Sequence, residues 1–114
     1  VELRRIATRA AIAPGIQRYA LKLLRHTHPD IEGAPERVQQ YVREGASPRG
    51  GQAILRAARI RALMDGRPAV STEDVEAAVL PALRHRLILN FEGEAEGIDR
   101  DELLREVIAE TPNP

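Results

Sequence analysis

Cysteine and tryptophan are missing from this 114-residue chain, and methionine occurs once. The first absence excludes disulfides, thiolate nucleophiles and cysteine-ligated zinc. Aromatic residues are nearly as scarce, at 3%: Tyr19, Tyr41 and Phe91. The core must therefore be assembled from Leu, Ile, Val and many alanines, a composition that favours close-packed helices over sheets. There is no net charge, since 17 Lys and Arg balance 17 Asp and Glu. No overall field is left to attract nucleic acid or an acidic membrane. No run approaches the roughly 18 apolar residues of a membrane span, and no signal-peptide pattern opens the chain. These bounds predict one cytoplasmic, all-α domain over residues 1–114, a small bundle of about four to five helices. Val1 falls inside a helical pattern, which points to a piece of something longer.

Apolar spacing at i, i+3, i+4 and i+7 predicts a first helix from Glu2 to about Ala11, through Leu3, Ile6, Ala7 and Ala10. Pro14 suits the first turn of the next helix, which carries Ile16, Tyr19, Ala20, Leu23 and Leu24 on one face and ends near His26–His28, before Pro29. A loop follows to Pro35, and then a short helix over Glu36–Arg43 with Val38, Tyr41 and Val42 inward. The third long helix is expected from Pro48 to about Met64, burying Ala53, Ile54, Ala57, Ala58 and an Ile60–Met64 stripe before Asp65-Gly66 stops it. Ser71-Thr72-Glu73-Asp74 resembles a capping box for a fourth helix with Val75, Ala78, Val79, Ala82, Leu83 and Arg86 on one side. Pro81 inside it predicts a kink or break. Leu87–Phe91 reads as extended or helix-terminal, Glu92–Gly97 as an acidic loop. Asp99 with Glu102 would cap a last helix through Leu103, Leu104, Val107 and Ile108.

Several chemistries are absent. No Gly-x-x-x-x-Gly-Lys-Ser/Thr phosphate loop, serine nucleophile elbow or His-Glu-x-x-His helix occurs, so the chain alone is not expected to hydrolyse anything. His26 and His28 diverge on a helix and have no third ligand at metal spacing; a solvated helix C-terminus, with imidazolium at the negative dipole end, accounts for them. No metal site is expected. His85, between Arg84 and Arg86, reads as surface or partner-facing. Glu92, Glu94 and Glu96 read as a solvent-facing loop. Arg56, Arg59 and Arg61 could contact phosphates of DNA, but without interleaved aromatics they read better as a solvated face. A free-standing helical adaptor docking through the alanine-rich third helix or the Arg84–Arg86 face remains the main alternative.

One stretch invites a sharper reading. In Gly45-Ala46-Ser47-Pro48-Arg49-Gly50, Ser47 suits a helix N-cap and Pro48 the first helical position, where a missing N–H costs nothing. Arg49 then stands on the first turn, a planar and permanently charged donor fork beside the positive dipole end. Such a turn attracts phosphate. Gly50-Gly51 weakens it by roughly 1 kcal/mol per glycine relative to alanine. Either the turn is loose, or a backbone approach there is unusually close.

Taken in order, Gly45-Ala46-Ser47-Pro48-Arg49, Leu55-Arg56-Ala57-Ala58-Arg59, Val70–Val75, Leu80-Pro81-Ala82-Leu83-Arg84-His85-Arg86-Leu87 and Asn90–Ile98 resemble the helical lid of a MoxR-type AAA+ ATPase. The likeness spans most of the chain. It implies that Arg49 is the sensor 2 residue, reaching the γ-phosphate of ATP held, with Mg, by a separate α/β core domain of the same chain. Ser47 and Pro48 would hold its turn. It also implies neighbouring subunits in a ring, a hexamer in the parent, and chaperone-like maturation of client proteins, for which some members carry a methanol dehydrogenase regulatory label.

Overall fold

The computed structural model describes residues 10–114, so the helix expected from Glu2 lies outside the described residues except for its end. There, Ala11 is extended: its N–H donates to Pro68 O at 3.1 Å and its carbonyl accepts from Val70 N at 2.9 Å. Six helices and one two-stranded ribbon follow among the described residues. They are α1 (Pro14–Arg25), α2 (Glu36–Tyr41), β1 (Val42–Glu44), α3 (Pro48–Met64), α4 (Thr72–Leu83), β2 (Ile88–Leu89), α5 (Phe91–Ala95) and α6 (Arg100–Glu110). The fold is all-α, with one helix more than the upper expectation, because the acidic segment is helical.

α3 is the spine, and its largest interhelical contact is with α4. Ile54, Ala58 and Ala62 recur at four-residue spacing and are fully buried, as are Val75, Val79 and Leu83 of α4. Small alanine side chains let the two axes approach while the larger partners fill the seam. Leu23 from α1 and Leu103, Leu104 and Val107 from α6 complete the core at 0% exposure. Met64 departs from the expected stripe: it is 78% exposed, because the last turn of α3 outruns its cover.

The ends of the helices repay inspection. α1 begins with Pro14 in its first turn, as its sequence suggests. α4 opens on a complete capping box: Ser71 Oγ accepts from Asp74 N at 3.2 Å, and Asp74 Oδ2 accepts from Ser71 N at 2.8 Å. Pro81 does not break α4, which continues two residues to Leu83. Proline removes one hydrogen bond, and so near the helix end there is little left to disrupt. Arg86 therefore falls beyond the helix and is exposed.

The end of the expected helix Glu36–Arg43 and the run Leu87–Phe91, read as extended or helix-terminal, pair with each other. β1 pairs antiparallel with β2 through Val42↔Leu89 and Glu44↔Ile88, so Val42 belongs to a strand and not to α2. Asn90 locks the junction: its N–H donates to Tyr41 O at 2.8 Å, its Nδ2 to Gln40 O at 2.7 Å, and its Oδ1 accepts from Gly93 N at 2.8 Å. That last bond is an N-cap, and it makes Phe91–Ala95 a helix where a loop was expected. Asp99 caps α6 through Asp101 N at 2.9 Å. Arg37 ties α2 to α6 through Glu106 at 2.6 Å, and Arg84 joins the end of α4 to Asp101 at 3.1 Å.

Candidate functional site

The arginine singled out in the sequence stands on the second residue of a 17-residue helix. Arg49 is exposed, and its guanidinium makes no ion pair among the described residues. Ser47 occupies the N-cap with extended backbone, but its side chain makes no capping hydrogen bond. Its carbonyl accepts from Gly50 N at 2.8 Å instead. Pro48 offers no N–H. The three residues thus form a wide-open helix start, positively charged by dipole and side chain alike.

This open turn is rigidly seated from below. Gly50 is buried, and a Cβ on it would lie 2.8 Å from Leu83 Cδ2, 3.2 Å from Ala46 Cβ and 3.3 Å from Leu24 Cδ1. Glycine is there because three elements converge on its Cα: the ends of α1 and α4 and the segment entering α3. Gly51 is less confined, its Cβ meeting only Leu24 Cδ2 at 3.3 Å. What Gly50 approaches closely is the bundle's own side chains, a cause that the sequence reading of the glycine pair did not include.

The turn is also seated from behind. Ala46 N donates to Thr27 Oγ1 at 3.0 Å, and Ala46 O accepts from His28 Nε2 at 2.8 Å. The Thr27 hydroxyl proton goes to Leu24 O at 2.6 Å. Gly45 lies so close that an added Cβ would sit 2.6 Å from Thr27 O. His26, one residue earlier, faces the other way: its Nδ1 meets Thr111 Oγ1 at 2.8 Å, and that hydroxyl donates to Val107 O at 2.7 Å. With the hydroxyl proton so committed, Nδ1–H is the donor.

These contacts correct the view of His26 and His28 as a solvated helix end. His26 is 7% exposed, and burial, reinforced by Lys22 and Arg25, lowers its pKa below the ordinary histidine value. Both effects disfavour the imidazolium expected at a solvated helix end. The sequence offered no warning, because the partners at Ala46 and Thr111 are 18 and 85 residues away.

The remaining candidates disperse. His85 is exposed. Arg61 pairs with Asp74 at 3.3 Å, Arg59 has its Nε buried without a partner, and Arg56 is exposed, so the three do not present one common face. Glu94 pairs with Arg100 at 3.2 Å, Glu96 accepts from Tyr41 Oη at 3.2 Å, and Glu92 from Gln40 Nε2 at 3.3 Å. Among the described residues no group of three or more metal-ligating side chains converges, and no helix is long and apolar enough to cross a membrane.

Asp74 was anticipated only as a cap, yet it is the most heavily bound carboxylate among the described residues. Arg67 grips it with two bonds of 2.6 Å, and its side chain is 0% exposed. Hydrogen bonds from Arg67 hold its pKa far below the usual carboxylate range, against the opposing effect of burial. It lines a groove of about 510 Å³ with Met64 and Pro81. That groove opens at the far end of α3, roughly 20 Å of helix from Arg49. Beside Arg49 itself runs a smaller apolar groove of about 270 Å³, lined by Leu21, Leu24, Pro48, Gly51 and Leu55.

Known proteins resemble this chain in sequence and fold. The family model described as an AAA lid domain matches residues 34–107. The Chaperone MoxR1 of Mycobacterium tuberculosis is 30% identical over 108 residues, which cover 95% of this chain and 29% of that protein. The Protein MoxR of Paracoccus denitrificans is 43% identical over 60 residues, 53% of this chain and 17% of its own length. A crystal structure of a candidate ATPase from Cytophaga hutchinsonii superposes with a TM-score of 0.91 at 29% identity, covering 97% of this chain and 34% of that one. The chain therefore spans about a third or less of the length of these proteins. With its fold, its exposed arginine turn and a family model covering more than half of its residues, the chain belongs to the AAA lid domain family, as a lid of the MoxR type.

Proposed function

We propose that this lid senses the terminal phosphate of ATP held by an α/β core domain of the same polypeptide, with Arg49 as the sensor 2 residue. The observation that carries the reading is the placement of Arg49: exposed, without an ion-pair partner among the described residues, on a helix start that is otherwise locked. The donors fit a phosphate, since a planar fork and a helix N-terminus both favour an anion. Bound ATP, with Mg on the core, would supply the free energy of phosphoryl transfer. Arg49 would neutralise charge and register whether the terminal phosphate is present, while Ser47 and Pro48 keep its turn open. Because Gly50 and Ala46 are fastened to α1 and α4, a pull on Arg49 is transmitted to the whole bundle rather than absorbed by one loop. Neighbouring subunits of a ring, a hexamer in this reading, would receive that motion. The name of the Mycobacterium tuberculosis relative, a chaperone, supports a chaperone-like use.

The test is Arg49→Ala in the full-length protein. Turnover at saturating ATP is expected to fall by roughly a hundredfold, the scale for losing one charge-stabilising donor. The melting temperature should stay put, because the side chain is exposed. Undiminished turnover would remove Arg49 from the mechanism.

A further inference from the structure

A helix that presents a sensing arginine needs a fixed starting direction, and the usual device is missing here. Ser47 makes no side-chain cap, and Pro48 contributes no N–H. What fixes the entry to α3 is the peptide of Ala46, three residues before Arg49. Its N–H and its carbonyl are both taken, by the consecutive side chains Thr27 and His28 at the exit of α1. Thr27 is fully buried and bonded in turn to Leu24 O, so the anchor is part of the core. A carbonyl can only accept, which assigns the Nε2 proton of His28 to that bond.

We infer that Thr27 and His28 are positioning residues for Arg49: they clamp the Ala46 peptide and thereby aim the first turn of α3. The inference rests on the sensor role proposed above. Neither residue touches the phosphate; both act through the backbone. Thr27→Val keeps the shape and removes the acceptor, leaving the Ala46 N–H buried and unpaired. His28→Ala removes the other half of the clamp at a partly exposed position, and so keeps the question open to test if the valine variant fails to fold.

The experiment measures kcat and KM for ATP in the full-length protein for Arg49→Ala, Thr27→Val, His28→Ala and each clamp variant combined with Arg49→Ala. The expected result is about a tenfold lower kcat for either clamp variant, within the range that ångström-scale misplacement costs, with KM nearly unchanged. Thr27→Ser and His28→Gln, which restore an acceptor and a donor at similar reach, should recover most of the rate. On the Arg49→Ala background the clamp variants should cost nothing further, because the group they aim is gone. Full additivity, or a normal kcat in both clamp variants, overturns the inference while leaving an impaired Arg49→Ala in place. A normal Arg49→Ala defeats the sensor reading itself, and the clamp's role falls with it.

Discussion

Substituting the two adjacent glycines of α3 one at a time sets helix propensity against packing at neighbouring positions. Alanine for glycine inside a helix is favourable by about 1 kcal/mol, and less in the first turn. At Gly50 that gain meets three apolar atoms within 3.3 Å, the nearest 2.8 Å from the new Cβ. The nearest belongs to Leu83, which is 0% exposed and cannot swing away without disturbing α4. Overpacking of this kind costs about 1–3 kcal/mol. The net expectation for Gly50→Ala is a loss of about 1 kcal/mol, or about 5 °C in melting temperature for a domain of this size. At Gly51 the single contact, 3.3 Å to the tip of Leu24, needs only a small adjustment. Gly51→Ala should therefore be neutral or stabilised by up to about 1 kcal/mol. Urea denaturation of wild type and both variants, followed by circular dichroism, measures the difference. Equal effects at the two sites, or a stabilised Gly50→Ala, would refute the claim that Gly50 is small because the core needs its volume.

Beyond the arginine and clamp variants described above, two further outcomes are expected. Asp74→Asn keeps the shape but breaks the paired bonds to Arg67, and should cost about 2–4 kcal/mol in urea unfolding, below the range for wholly buried pairs because Arg67 is 35% exposed. The depressed pKa of Asp74 adds a pH signature: its stabilisation is present above the unfolded carboxylate value of about 3.9 and is lost as pH falls below it, a slope the asparagine variant should lack. His26 works in a higher window. Its folded pKa lies below the ordinary 6.5, so the unfolded chain takes up protons first and stability falls as pH drops through and below that value. His26→Asn should flatten the dependence of the urea midpoint between about pH 7 and pH 5; an undiminished slope would contradict burial as the cause.

Most helices were legible in the sequence because their cues are local. α3 shows its limits in Pro48 at one end and Asp65-Gly66 at the other, and α4 begins at a capping box whose two bonds both form. The arginine on its helix start was legible for the same reason: position within a first turn follows from three or four neighbouring residues. Of the β1–β2 ribbon, the run Leu87–Phe91 was read as extended or helix-terminal, but its pairing with Val42–Glu44 was not legible, since strands of three and two residues carry no period and their junction is tied by Asn90 to Tyr41, Gln40 and Gly93. Nor were the duties of His26 and His28. A histidine's role depends on which acceptor lies within about 3 Å, and here those acceptors come from Ala46 and Thr111, far along the chain. Local chemistry thus placed Arg49 on its turn. The long-range packing of Gly50 on Leu83 and of Ala46 on Thr27 sets where that turn starts, because a direction in space is fixed by contacts between elements and not by the residues within one.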